Sequence, residues 1–145
     1  MNKVLYIILI SLFSLTVISC AKKSSTSSSS TTTDNTTTSG AVTTLAGTGS
    51  TGSANGTGTS ASFNNPRDIT TDGTNLYVAD FDNHLIRKIV ISTGAVTTVA
   101  GTTGSSGSAN GTGTSASFNY PVGITTVGTN LYVADQNNHL IRKIE

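Results

Sequence analysis

The chain has 145 residues, which is enough for one ordinary domain. Charged residues make up 10% and aromatic residues 6% of the sequence, and there is no tryptophan. A coiled coil would need about half of its residues to be Ala, Glu, Lys, Leu or Arg, and a nucleic-acid-binding domain would show a basic excess. Eight Lys and Arg against seven Asp and Glu give no such excess. We therefore expect neither class, and no nucleic-acid partner.

Residues 1–19 have the features of an export signal. Residues 1–3 form a short, positively charged start, and residues 4–18 are almost wholly apolar. This apolar run is shorter and more interrupted than the about 20 apolar residues that a membrane-spanning helix needs. It is typical of the core of a signal peptide.

The end of this segment resembles the lipobox of bacterial lipoproteins. An aliphatic residue, Val17, and a small residue, Ser19, precede Cys20, which is the one cysteine of the chain. The resemblance implies cleavage after Ser19 and a lipid on Cys20, so that the membrane is a partner through this anchor. Ala21 then implies the outer membrane or cell surface of a bacterial cell envelope. The alternative is that Cys20 is an ordinary thiol behind a plain signal peptide.

Residues 20–39 form the predicted tether behind the lipid-bearing cysteine. Almost every residue of 24–39 is Ser or Thr. Such a segment has too little apolar surface to offset the entropy of ordering, so we expect it to be disordered. Its simplest role is to hold a domain away from the lipid surface.

Residues 40–145 consist of one unit written twice, at 40–93 and 94–145. The Gly-Ala-Val-Thr-Thr run that begins at Gly40 returns at Gly94, and most other positions of the two units are identical. A repeat of this length predicts a supersecondary unit that packs against its own copies. It is close in length to a four-stranded blade.

The pattern of apolar residues and turn signals predicts strands a (67–71), b (75–79) and c (84–91), followed by strand d (95–100). Residues 41–46 are the copy of this strand d in the first unit and are predicted to form a preceding d strand. The expected strand order along the chain is therefore d-a-b-c-d-a-b-c.

The triplets Asn83-His84-Leu85 and Asn138-His139-Leu140 are literal copies of the signature of the NHL family. The surrounding sequence also resembles a full NHL repeat, and the resemblance covers residues 40–145. It implies an all-β fold: two four-stranded antiparallel blades of an incomplete NHL-type β-propeller, which in this family is usually six-bladed.

Two blades do not close a ring, because propellers have about four to eight blades. One hypothesis is that the first d strand completes the last blade of another copy, so that a homotrimer would complete six blades. The other is that the chain is a truncated, non-functional remnant of a longer propeller protein.

The predicted strand order brings the b–c turns and the long d–a loops, 47–65 and 101–120, to one rim of the blades. Loops on a rigid scaffold often carry function, so this rim is the expected place for a protein or carbohydrate ligand. Phe81 and Tyr120 would either contact a partner there or pack at the blade edge. The candidate rim residues are Asp80, Phe81, Asp82, Asn83, His84, Tyr120, Asp135, Gln136, Asn137, Asn138 and His139.

No motif for catalysis, a metal or a cofactor is found in the sequence. His84 and His139 lie one blade apart and lack the spacing of metal ligands, so we expect them to make structural hydrogen bonds. Asp80 and Asp135 are expected to bind turn amides or to pair with Arg87 and Arg142. The sequence therefore favours a binding or scaffold module over an enzyme. The enzyme alternative is a hydrolase or lyase that oligomerisation completes.

Overall fold

Antiparallel strands dominate residues 40–145, the part of the chain that our computed structural model describes. This part contains no α-helix, and none of its elements could cross a membrane as an apolar helix. The predicted signal peptide and tether, residues 1–39, lie outside the described residues. The strands are β1 (Gly56–Thr57), β2 (Pro66–Thr71), β3 (Asn75–Asp80), β4 (Leu85–Val90), β5 (Ala95–Ala100), β6 (Pro121–Val127), β7 (Asn130–Asp135) and β8 (Leu140–Ile144).

The strands form two antiparallel sheets, which we call blade 1 and blade 2. Blade 1 has the order β1-β5-β4-β3-β2, and blade 2 has the order β6-β7-β8. Strands β2, β3, β4 and β5 are the predicted strands a, b, c and d. Strands β6, β7 and β8 repeat a, b and c. The predicted all-β class and the antiparallel propeller blades are confirmed, but the blades have five and three strands instead of the predicted four each.

The prediction of a d strand at residues 41–46 is wrong for the isolated chain. These residues form no strand, and most of them are exposed. Their β propensity has no effect here because a strand needs a partner edge, and none of the described strands pairs with them. The sequence also gave no indication of β1, a two-residue strand in the long loop that pairs with the outer edge of β5.

The two blades stack face to face around a shared apolar core. We call the side of a blade that carries Tyr77, Ala79 and Ile86 its front face, and the opposite side, which carries Leu76 and Val78, its back face. The front face of blade 1 packs against the back face of blade 2. The main contributors from blade 2 are Phe118, Ile124, Leu131 and Val133.

Hydrogen bonds fix the blades in register beside this core. Asp68 Oδ2 accepts a bond from the backbone amide of Ile124 at 2.7 Å. The hydroxyl groups of Thr70 and Thr126 lie 3.1 Å apart. Polar bonds next to an apolar interface specify one relative placement of the sheets, since they are lost when the sheets slide.

Candidate functional site

Each b–c turn has the same backbone path in the two blades. The turn after β3 is a short 3-10 helix, Phe81–Asn83, and the turn after β7 is its copy, Gln136–Asn138. Both end in a histidine with left-handed backbone geometry, His84 at φ 57° and His139 at φ 58°. Histidine is one of the few residues that are enriched in this region besides glycine. The turn therefore reverses the chain without a glycine.

A buried aspartate holds the first turn in place. Asp80 Oδ1 accepts a bond from the backbone amide of Asn64 at 2.8 Å. Its Oδ2 accepts from Asn83 Nδ2 at 2.8 Å and from Arg87 Nη1 at 2.9 Å. The side chains of Asp80 and Arg87 are fully buried. The expected pairing with the arginine is confirmed, and the carboxylate also binds the side-chain amide of the turn residue Asn83 and a backbone amide of the long loop.

The arginine of this pair attaches the long loop to the blade. Arg87 Nη1 also donates to the carbonyl of Ser62 at 3.1 Å. Its Nη2 donates to the carbonyl of Ala54 at 3.0 Å and to Asn55 Oδ1 at 2.9 Å. The guanidinium lies 5.2 Å from the centre of the Phe63 ring. The buried guanidinium therefore holds the loop rich in Gly, Ser and Thr at Ala54, Asn55 and Ser62, although the composition of the loop suggests a flexible connection.

Blade 2 repeats this network with its own residues. Asp135 accepts from the amide of Asn119 at 2.7 Å, from Asn138 Nδ2 at 2.7 Å and from Arg142 Nη1 at 3.0 Å. Arg142 Nη2 donates to Asn110 Oδ1 at 2.8 Å. The aspartate, asparagine and arginine of each unit therefore act as one structural group that connects turn, strand and loop.

Two loop glycines are required by the same packing. A Cβ at Gly52 would collide with the hydroxyl of Ser62, and one at Gly107 with the hydroxyl of Ser117. Ser62 Oγ must stay in place because it accepts a bond from the amide of Ala54 at 2.9 Å. These glycines permit the close approach of two loop segments.

The first histidine has a role between the blades. His84 Nδ1 accepts a bond from the backbone amide of Tyr120 at 3.1 Å, and the two rings meet edge to face at 4.6 Å. The expected structural hydrogen bond of His84 is therefore present. His139, its copy in blade 2, is exposed. Within residues 40–145, no group of His, Cys, Asp and Glu side chains could hold a metal ion.

The rim contains a small aromatic and cationic cluster where the blades meet. The rings of Phe81 and Tyr120 lie 4.8 Å apart, so these residues pack against each other across the blades. The guanidinium of Arg67 lies 4.4 Å above the Phe81 ring. Sequence reasoning did not select Arg67, although its replacement by Val122 in the second unit was a usable signal.

The structure divides the candidate rim residues into two groups. The buried or bonded group, Asp80, Asn83, Asp135 and Asn138, is occupied by the structural network. The other group faces solvent at least in part and remains available to a ligand. It consists of Phe81, Asp82, His84, Tyr120, Gln136, Asn137 and His139.

The opposite end of blade 1 carries a polar turn that the second unit lacks. Asp72 accepts bonds from the side-chain and backbone amides of Asn75 and from the amide of Thr74, and these bonds hold the pKa of Asp72 well below its usual range. Burial and the nearby carboxylate raise the pKa of Tyr77. Valine, Val127, takes the place of Asp72 in the second unit. This end therefore offers no repeated polar site.

Comparison with known proteins agrees with this geometry. Residues 63–89 match the model of the NHL repeat. Over 99 residues the chain is 38% identical to NHL repeat-containing protein 2 from Bos taurus, and the match spans 65% of this chain and 14% of that protein. The chain therefore covers a small part of the length of this relative.

Two solved structures from Bacteroides thetaiotaomicron have a similar fold. One is a protein of unknown function, with a TM-score of 0.64 and 31% identity over 69% of this chain and 26% of that chain. The other is described as an auxiliary nutrient binding protein, with a TM-score of 0.58 and 29% identity over 67% of this chain and 26% of that chain.

The stacked antiparallel blades define an all-β, propeller-type protein. Residues 63–89 form an NHL repeat, and the second unit copies the same signature at Asn138, His139 and Leu140.

Removal of the buried carboxylate is predicted to destabilise the fold. Asp80→Ala leaves the guanidinium of Arg87 buried without its counter-charge, which should lower the free energy of unfolding by about 3–5 kcal/mol. Asp80→Asn keeps the side-chain volume and one acceptor oxygen for these donors, so it should cost less than Asp80→Ala. Urea unfolding of the full chain, followed by tyrosine fluorescence, measures these differences.

Asp82→Ala is the matched control for this prediction. Asp82 lies in the same turn, but its side chain is exposed. Its removal should change the free energy of unfolding by less than about 0.5 kcal/mol. Equal losses for Asp80→Ala and Asp82→Ala would contradict the structural role of the buried pair.

Proposed function

We propose that this protein is a lipoprotein of the bacterial cell envelope that holds NHL-type blades as a binding module. The observation that carries the binding role is the partly exposed cluster of Arg67, Phe81 and Tyr120 on a rim fixed by buried ion pairs. Support also comes from the similarity to a protein described as an auxiliary nutrient binding protein.

The anchor is supported by the chemistry of one residue. Cys20 is the one thiol of the chain and follows the apolar run and a small residue, Ser19. A thiol at this position can form the thioether to a diacylglycerol. Two or three acyl chains give stable membrane binding, since each buried CH2 group contributes about 0.8 kcal/mol.

Cys20→Ser is predicted to release the protein from membranes. The variant cannot form the thioether, so the protein should lose incorporation of a labelled fatty acid and move to the soluble fraction of a bacterial lysate. Ser19→Ala is the control, because it keeps a small residue before the cysteine and should keep the label. Retention of both label and membrane association by Cys20→Ser would contradict the anchor.

The chemistry of the rim fits a neutral, polyhydroxylated ligand such as an oligosaccharide. Aromatic rings offer flat apolar surfaces for the faces of sugar rings. The exposed amides of Gln136 and Asn137 offer both donors and acceptors for hydroxyl groups. The backbone amide of Gln136 donates to the backbone carbonyl of Tyr120 at 3.3 Å, so the blade 2 turn lies next to the aromatic cluster.

The carboxylates argue for binding rather than for acid–base catalysis. Asp80 and Asp135 are fully buried and engaged by arginine and amide donors, so neither has a free oxygen that faces the rim. A general base must reach the proton that it removes. Among the candidate rim residues, only the carboxylate of Asp82 is exposed. The rim of the described residues therefore offers surfaces and hydrogen bonds rather than a pair of carboxylates.

Calorimetric titration of the full chain with a panel of neutral glucose, mannose, galactose and xylose oligosaccharides tests the binding role. At least one member should bind, and Phe81→Ala should weaken that binding by about tenfold because it removes the central ring of the cluster. Asp72→Ala, at the opposite end of blade 1, should leave it unchanged. No binding across the panel, or equal binding by the Phe81→Ala variant, would refute the oligosaccharide site.

A further inference from the structure

The contact between the two blades shows how their uncovered faces can be covered. Ile86 on the front face of blade 1 is 0% exposed, whereas its copy on the front face of blade 2, Ile141, is 76% exposed. Ile124 on the back face of blade 2 is 6% exposed, whereas its copy Ile69 is 54% exposed. The front face of blade 2 is therefore uncovered at Ile141, and the back face of blade 1 is open at Ile69, although Val78 and Ile89 of that face are buried beside the long loop. A front face and a back face already pack together between the two blades.

A groove beside β8 matches the place of the fourth strand in blade 1. In blade 1, β5 lies between β4 and the short strand β1. In blade 2, the corresponding space is an open groove of about 340 Å³. Its lining includes Gly111 and Thr112, which are the copies of β1, on one side and Arg142 and Ile144 of β8 on the other.

Residues 41–46 have the sequence that this groove needs. Residues 40–44 are identical to residues 94–98, which lead into and form most of β5. Val96 of β5 is 2% exposed, but its copy Val42 is 95% exposed. An apolar β-branched residue is thus left in solvent in one copy of the unit and buried in the other.

The path of the chain decides which molecule supplies this strand. After β5 of blade 1, the amide of Gly101 bonds to the carbonyl of Gly113, in the loop of the next blade, at 3.2 Å. After residues 41–46, the amide of Gly47 bonds to the carbonyl of Gly58, in the loop of blade 1, at 3.1 Å. By the same geometry, residues 41–46 belong to a blade that stacks on the back face of blade 1.

Blade 2 of the same molecule cannot be that blade. It already occupies the front face of blade 1, on the opposite side of the sheet. No blade among the described residues covers this back face, and a second copy of the chain offers one, because the front face of its own blade 2 is uncovered among those residues.

We infer that copies of this chain associate head to tail by strand exchange, with residues 41–46 of one copy as the fourth strand of blade 2 in the next. The register follows from blade 1, where Val96 pairs with Ile89 and with Gly56. Val42 then lies between Ile144 and Gly111 of the neighbour. This assembly goes beyond the proposed binding role and does not depend on it.

The contact between copies would keep most features of the contact between the blades of one chain. The amide of Asn65 takes the place of the amide of Tyr120 and can donate to His139, as Tyr120 donates to His84. One bond is lost, because Gly123 stands where Asp68 bonds across the blades. A closed ring of about four to eight blades needs two to four copies, and three copies give six blades.

Engineered cysteines test the register directly. The pairing of Thr97 with Lys88 in blade 1 places Thr43 opposite Lys143 of the next copy. Facing residues of antiparallel strands lie within disulfide range. Under oxidation, the full-length Thr43→Cys/Lys143→Cys variant should form covalent multimers. Thr43→Cys/Thr129→Cys, with the second cysteine in a distant turn, is the control. Because both variants contain Cys20, the control also shows which disulfides form through Cys20.

Multimers specific to the Thr43–Lys143 pair support the exchange, and a pattern equal to that of the control overturns it. Native mass spectrometry of the full chain in a mild detergent gives a second test. The wild type should have the mass of two to four copies of the chain, and three copies are expected. A monomer at all concentrations overturns the inference.

A point substitution tests whether the multimer depends on residues 41–46. Val42→Asp places a carboxylate at a position that is buried in the assembly, so it should weaken association by about a hundredfold or more. Val42 is exposed in the single chain, so the variant should still fold. Thr43→Glu, at the copy of the exposed Thr97, should keep the multimer. A multimer unaffected by Val42→Asp overturns the proposed contact.

Discussion

Each blade of this protein has two apolar faces, and the structure depends on covering those faces with another sheet. The contact between blade 1 and blade 2 buries Ile86, Phe118 and Val133 almost completely. On the outer faces, Ile141, which is the copy of Ile86, and Ile69 remain in solvent, whereas Val78, the copy of Val133, is buried. Burial of apolar area is the main favourable contribution to folding, so the number of contacts between blades determines how strongly they are stabilised. Two blades share one such contact, whereas a closed ring has one contact for every blade.

The buried aspartate–arginine pair has a different role, since it gives each blade a rigid rim. A buried ion pair contributes little net stability compared with apolar packing, but it fixes the positions of the groups that bond to it. Asp80 and Arg87 together hold a turn, a strand end and a long loop. Phe81 and Arg67 stand on this rim, so a ligand would meet side chains that are already in place. Such preorganisation reduces the entropy cost of binding.

The sequence predicted the local elements well because they depend on nearby residues. Alternation and turn residues located β2 to β5 and the b–c turn closely, and the charges beside that turn indicated that Asp80 would bind turn amides or pair with Arg87. The sequence could not predict that Asn55 and Ser62 bind Arg87, since these contacts join residues far apart in the chain. Residues 41–46 were expected to be a strand, but strand formation depends on a partner edge that sequence pattern does not reveal.

The state of residues 41–46 is therefore the most direct test of the account, and hydrogen–deuterium exchange of the full chain measures it. Residues 95–100 provide an internal reference, because they have nearly the same sequence and form β5. If uncovered faces and the open groove bring copies together, the amides of residues 41–46 should become protected as the protein concentration rises. Their protection should approach that of the amides of residues 95–100. Fast exchange of residues 41–46 at every concentration, with residues 95–100 protected, would contradict the account.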